Sequence, residues 1–418
     1  MTPRAARRSP LDASQSGTAP VHFPGLEAIR ALAASMVVVH HVSSAAGATA
    51  GMIATPAEVM DSGVAVFFVL SGFLIFRPFA AAIIGGHDRP RVWGFWWRRI
   101  LRIVPAYWIA LSVLWATGNV FLGDMWWRHY LLLQPFDRYT ALVGLVAAWS
   151  LSTEVCFYLI VPPLAWTAHR IIDARSTPAG PSVPARTLGL MIVLVAVGSL
   201  GPIARATAPW WAGENRALSF QWLPTNLDLF AAGMLLAVGS VWAGLRAEVG
   251  LRVATFTRKA WPWWSGAALL FVAYAYGVGG VDFAVGYQGW SWQLRQFAFT
   301  LCAVLLLIPA VFGDQGDGWL RRLWRWGPVA WVGTVSYGLY LWHVGVMERL
   351  VERPAGSRTP TDPGWPGWLS DLGVEPSFVS LLVGTFVIAL MAAATSWYLV
   401  ERPLQRWKAI FDGVTRRG

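Results

Sequence analysis

The chain has 418 residues, of which 56% are hydrophobic and only 13% charged, and its mean hydropathy is +0.49. A soluble chain averages about 45–50% apolar and about 25% charged, so a water-soluble globule is excluded and a polytopic membrane protein is expected. On a soluble chain a net charge of +11 would point to nucleic acid. Here the basic residues lie in short loops beside apolar runs, so no nucleic-acid partner is expected and the positive-inside rule accounts for them.

Residues 1–23 are polar, rich in Pro and Ser, and carry Arg4, Arg7 and Arg8. No small-residue cleavage site follows a short apolar core, so this stretch reads as a disordered cytoplasmic tail before a retained first helix, not as a signal peptide. A spanning helix needs about 20 predominantly apolar residues. Ten segments qualify, at about 25–45, 63–84, 103–122, 149–167, 187–205, 221–243, 262–280, 295–313, 329–348 and 376–398. The apolar run Ala141 to Ala148 reads as an interfacial lead-in to the fourth. The expected architecture is an all-α transmembrane bundle over residues 24–403, with a short basic tail at 404–418. Many of the 27 Trp, among them Trp93, Trp96, Trp97, Trp126, Trp127, Trp210 and Trp211, flank the apolar runs as an interfacial belt does. Stretch 173–186 reads as a linker, and 349–375, rich in Pro, Gly and Asp, as an irregular outer loop. Cys156 and Cys302 fall within apolar runs and read as core thiols.

Sorting Lys and Arg by alternate loops puts 24 on one side and 8 on the other, with Arg30 inside a helix. The richer side is expected to be cytoplasmic, with both termini there and the protein in the cell membrane. No internal repeat is visible, which weakens a transporter reading.

Several ionisable residues sit where lipid disfavours them. A charge at the bilayer centre costs about 2.5–3.5 kcal/mol on insertion scales, so such residues usually face protein or a wet cavity. Arg30 and His41 lie in span one, Glu154 in span four, Asp228 in span six and His343 in span nine. The topology places His41, Glu154, Asp228 and His343 at similar depth, and one shared polar cavity is expected. Histidine suits general-base work near neutral pH, and a neighbouring carboxylate fixes its tautomer. No close His spacing supports a metal site. Arg98, Arg99 and Arg102 are expected just before span three, with Arg99 and Arg102 on one face. They read either as ordinary cytoplasmic charge or as an anion site for a phosphate-bearing donor, since Arg pairs bidentately with phosphate.

These same residues carry a resemblance. Arg30 and His41 form an Arg, ten residues, His pattern; GVAVFFVLSGFLIFR (Gly63 to Arg77), RRILRIVPAYW (Arg98 to Trp108), WSLSTEVCFYLIVP (Trp149 to Pro162), SYGLYLWH (Ser336 to His343) and YLVERP (Tyr398 to Pro403) follow in order. The chain resembles the acyltransferase-3 family of integral membrane acyltransferases, which includes bacterial O-antigen and peptidoglycan acetylases and antibiotic-sugar acylases. The resemblance implies a cytoplasmic acyl-CoA, acetyl-CoA first among them, as co-substrate with no bound cofactor, and an acceptor hydroxyl on a carbohydrate or glycosylated molecule. It implies His41 as catalytic base with Glu154 as its partner, and Arg30, Arg99 and Arg102 on the donor side. Ser71, Asp228, Ser336, Tyr337 and His343 are expected to line the cavity. Two departures stand out: His40 adjoins His41, and Val155 follows Glu154 where many relatives carry a second Glu. The competing expectation is a transporter or flippase for a lipid-linked sugar or an acid, using the same residues as a proton relay.

Overall fold

The computed structural model describes residues 23–46, 54–174, 182–277, 289–312, 318–351 and 377–410. The expected tail at 1–23 and the outer loop at 349–375 fall almost wholly outside them, and the tail at 404–418 and the linker at 173–186 about half. The described residues are helical, with no strand among them. Ten long helices match the ten expected segments: α1 (Gly25–Ala45), α2 (Ser62–Gly85), α3 (Val92–Ala116), α4 (Trp149–Ala174), α5 (Val183–Trp211), α6 (Leu227–Leu245), α7 (Trp261–Gly277), α8 (Gly289–Val311), α9 (Gly327–Leu350) and α10 (Phe378–Ser396). Eight of the ten lie in stretches long and apolar enough to cross a membrane. The other two are α7, with 17 described residues, and α9, which is long enough but carries Ser336, Tyr337, Tyr340, His343, Glu348 and Arg349.

Side-chain contacts fix the helix directions. Glu27 meets Gly333 and His41 meets His343, so α1 and α9 run parallel. Trp149 meets Phe68 and Glu154 meets Ser71, so α4 runs parallel to α2. Gly63 packs on Ala33 and Val37 while Phe23 reaches Phe73, so α1 and α2 are antiparallel. Gly338 packs on Ala393 and Leu350 on Gly384, which sets α10 against α9. The N-terminal end of α1 and the C-terminal end of α10 therefore lie at one face.

Lipid tails are as apolar as leucine, so helices in a membrane associate by close packing and polar contacts and not by apolar burial. The α2–α6 crossing illustrates this. Gly72 lies against the backbone of Phe230, and Gly233 against the backbone of Val69 and Phe73. A Cβ at either position would meet main chain, so only glycine lets the two helices approach this closely. Phe230 completes the contact by stacking between Phe68 and Phe157, at centroid distances of 4.7 and 4.2 Å. The outer faces are the opposite. On α10, Val379, Val383, Val387 and Met391 recur every four residues and are exposed, the stripe expected of a helix turned toward lipid.

One boundary differs from expectation in a way that matters for the site. The third helix begins at Val92, eleven residues before the expected 103. Arg98, Arg99 and Arg102 are therefore inside the helix and not ahead of it. Charge argued against continuing the span, but Arg99 lies over the rings of Phe95 and Tyr158 and lines a cavity together with Arg102, which reduces the penalty for placing charge there. Likewise Arg205 and Arg295, counted as outer-loop charges in the sequence, sit within α5 and α8 and pair with Asp228 and Asp61.

Candidate functional site

A cavity of about 90 Å³ opens inside the bundle, with room for several waters. Arg30, Arg99 and Arg102 line it together with Ser71, Glu154, Ser336 and Tyr337. Seven expected site residues are thus brought together, drawn from α1, α2, α3, α4 and α9. Arg30 donates to Glu27 at 2.6 Å. The Arg99 guanidinium lies over the rings of Phe95 and Tyr158, at 5.6 and 5.8 Å, and its buried Nε has no hydrogen-bond partner. Among the described residues neither Arg99 nor Arg102 has an ion-pair partner. Glu154 accepts hydrogen bonds from Ser71 Oγ and from Tyr158 Oη, the latter at 2.5 Å. Glu27 offsets Arg30, so three arginines meet two carboxylates and the charges of Arg99 and Arg102 are only partly balanced. A partly enclosed excess of guanidinium charge suits an anion.

The histidines form a separate place. His41 Nδ1 is 2.9 Å from Val37 O and 3.3 Å from His343 Nε2, and His343 Nδ1 is 2.8 Å from Tyr340 O. Carbonyl oxygens only accept, which assigns the protons in the neutral pair. His343 carries its proton on Nδ1 and donates it to Tyr340 O, which leaves a lone pair on Nε2. His41 also carries its proton on Nδ1, shared between Val37 O and that lone pair. His41 Nε2 is then unprotonated, the state a general base requires. His40 packs edge-on against His41 at 5.1 Å, but its own buried Nδ1 has no partner, so of the two adjacent histidines it is His41 whose tautomer is fixed.

No hydrogen bond joins His41 to Glu154 among the described residues; the group beside His41 is His343, and Glu154 faces the arginines. Nor does either histidine line the arginine cavity. Tyr340 connects the two places. It lines the cavity, its ring lies 5.7 Å from that of His343, and its hydroxyl contacts Ser150 Oγ and Ala147 O, each at 2.7 Å.

Asp228 does not share the cavity. It pairs with Arg205 of α5, Oδ1 to Nη1 at 3.1 Å and Oδ2 to Nη2 at 2.8 Å, and Arg205 Nη1 also reaches Thr225 O at 2.6 Å. Equal depth along the sequence says nothing about which way α6 turns, and α6 presents Asp228 to Arg205. The structure also adds residues. Tyr158 follows Glu154 by four positions, so its place on the same face was readable from helical spacing. Tyr340 precedes His343 by three. Glu401 is buried in a π-helical turn (Trp397–Glu401) inside the YLVERP motif. Such turns are frequent at functional sites. Both cysteines are free, Cys302 buried and Cys156 partly so. Among the described residues no group of three or more His, Cys, Asp or Glu is arranged to hold a metal ion.

Comparison with known proteins gives one family match and several relatives. The family described as an acyltransferase domain, acyltransferase-3, matches residues 23–401. The chain is 24% identical over 401 residues, 92% of its length and 55% of the relative's, to Bacillus subtilis YrhL, whose name assigns it to peptidoglycan O-acetylation. It is 23% identical over 343 residues to the peptidoglycan O-acetyltransferase OatA of Listeria monocytogenes, covering 78% of this chain and 49% of that one. It is 24% identical over 351 residues to the O-acetyltransferase OatA of Staphylococcus aureus, covering 78% and 51%. The chain spans about half the length of the curated relatives it matches. No solved structure gives a significant match.

Proposed function

The chain belongs to this acyltransferase family, and from that premise we propose that it transfers an acyl group, acetyl in the simplest case, from acyl-CoA to a hydroxyl of a carbohydrate acceptor. Peptidoglycan-type glycan is the acceptor class named for its relatives. The observation that carries the reading is the three-arginine cavity set one aromatic ring away from a histidine whose Nε2 is free to accept a proton. The loop bias of Lys and Arg supports an orientation in the cell membrane with the N-terminal ends of α1 and α3 toward the cytoplasm. Arg99 and Arg102, early in α3, then face the compartment that holds acyl-CoA.

In this reading the CoA phosphates bind Arg99 and Arg102, with Arg30 farther along the route, through charge-assisted hydrogen bonds. The thioester extends past Tyr340 toward His41. As the acceptor hydroxyl attacks the thioester carbonyl, His41 Nε2 takes its proton; the new C–O bond forms and the C–S bond breaks. The departing CoA thiolate takes a proton back from the His41 imidazolium. His343 holds His41 in the required tautomer, the orienting role a carboxylate plays in a Ser-His-Asp triad. Glu154, hydrogen-bonded to Ser71 and Tyr158, holds the floor of the cavity and balances part of the arginine charge.

The test is to incubate membranes containing the protein with acyl-labelled CoA and a glycan acceptor. Free CoA and labelled glycan in equal amounts are expected. Label moved across the membrane with no CoA freed would replace this reading with the transporter.

A further inference from the structure

A second cavity, of about 60 Å³, lies where the N-terminal ends of α2, α4 and α8 meet the 3₁₀ turns before α6. None of the residues discussed for the acyl-transfer site belongs to it. Its walls include the rings of Trp149 and Phe220, which meet edge to face at 5.6 Å, and the indole of Trp292. Its polar and charged residues are Asp61, Arg295, Asn226 and Gln296, with Arg295 ion-paired to Asp61 and its guanidinium over the ring of Phe299. Phe68 lines this cavity and the arginine cavity alike, so one phenyl ring separates them.

The polar groups are held in place and left incompletely used. Asp61 is ion-paired with Arg295 through Oδ2, while its Oδ1 is buried with no hydrogen-bond partner. A buried acceptor left unsatisfied costs about 1–3 kcal/mol, more when charged. Asn226 is locked by donating to Phe220 O and Trp222 O at 2.8 and 2.9 Å. Its Oδ1 accepts from Gln296 Nε2 at 3.2 Å, which leaves Gln296 Oε1 facing the cavity side chains without a partner among the described residues. The free valences are thus acceptors, a carboxylate oxygen and an amide oxygen, between aromatic planes.

We propose that this cavity is a saccharide subsite, taking the hydroxyl-bearing edge of a sugar ring one unit removed from the hydroxyl that is acylated. A sugar offers several O–H donors on one edge and apolar C–H faces that lie flat on aromatic rings, which matches both features. An anionic ligand would meet the Asp61 carboxylate, and an acyl chain would leave both acceptors unsatisfied. The volume admits about four waters, enough for a ring edge and too small for a whole oligosaccharide. The assignment of this subsite to the acceptor rests on the acyltransferase reading; the binding itself does not.

The experiment titrates the full chain in lipid nanodiscs, following tryptophan fluorescence, with two neutral tetrasaccharides, chitotetraose and maltotetraose. At least one binds saturably, and Asp61→Asn and Gln296→Leu each weaken it tenfold or more while the thermal unfolding profile stays as in wild type. Gln296→Leu leaves the Asp61–Arg295 pair intact and carries the test where Asp61→Asn does not fold. Failure of both tetrasaccharides to bind, or wild-type binding by Gln296→Leu, overturns the subsite. Saccharide binding that is lost in the variants, with no CoA freed by wild type, upholds the subsite and overturns the transferase reading instead.

Discussion

The arginine cavity and the histidine pair lie side by side and solve different problems. The cavity gathers arginines from α1 and α3 around open space and leaves Arg99 and Arg102 without an ion-pair partner among the described residues, an arrangement with room for a ligand. The pair is held in place: His343 is fully buried and His41 partly so, and each Nδ1 is committed to a backbone carbonyl of its own helix. Holding an anion needs charge and room. Holding a tautomer needs rigid neighbours. On the proposed reading, donor binding falls to one place and proton handling to the other, with Tyr340 between them.

Variants break or sharpen that contrast. The largest effect is expected from His41→Ala, which should lower kcat about 1000-fold, within the range general-base removal produces, with the donor KM changed by less than threefold. Steady-state CoA release in membranes measures it. His343→Ala leaves His41 without its orienting neighbour and should lower kcat about 100-fold, on the scale seen when an orienting partner is lost. His343→Gln, which can still accept from His41 Nδ1, should recover at least tenfold of that. Equal losses in the two variants would reduce His343 to a packing residue. Arg99→Ala and Arg102→Ala should each raise the donor KM about tenfold, the loss of about 1.4 kcal/mol from a charge-assisted contact, and leave kcat within a few-fold.

His129 supplies a control of another kind. It lies outside the spanning helices, in the turn Trp126–Tyr130, fully buried with neither ring nitrogen hydrogen-bonded. Burial lowers its pKa from the usual 6.5 to about 4. The unfolded chain therefore binds the proton first as pH falls. Stability from this site is complete well above pH 6.5 and is lost progressively toward pH 4, by about 1.4 kcal/mol at pH 5.5. Thermal melts of wild type and His129→Gln over that range should converge as the pH drops. A slope unchanged in the variant would remove His129 as its source.

Much of this was legible in the residues. The ten helices follow from apolar run length alone, because lipid demands about 20 apolar residues per crossing. Arg30, Arg99, Arg102, Glu154, Ser71, Ser336 and Tyr337 do share one cavity. What stayed hidden depends on helix rotation, which run length and depth do not encode. Asp228 shares a leaflet with His41 in the sequence reading, yet α6 turns it toward Arg205 on α5. Glu154 has the chemistry of an imidazole partner, yet α4 presents it to Ser71 and Tyr158. The start of α3 was hidden for a different reason: hydropathy counts each arginine as a penalty, whereas a cavity and two aromatic rings remove much of it.

The central claim is that anion binding and proton transfer reside in separate places. Equilibrium binding of labelled acyl-CoA, measured beside single-turnover CoA release for His41→Ala and for the Arg99→Ala, Arg102→Ala double variant, tests it directly. The account predicts that His41→Ala binds the donor as wild type does and releases no CoA, while the double variant binds at least tenfold more weakly and still turns over once saturated. Loss of binding and turnover together in both variants would contradict it.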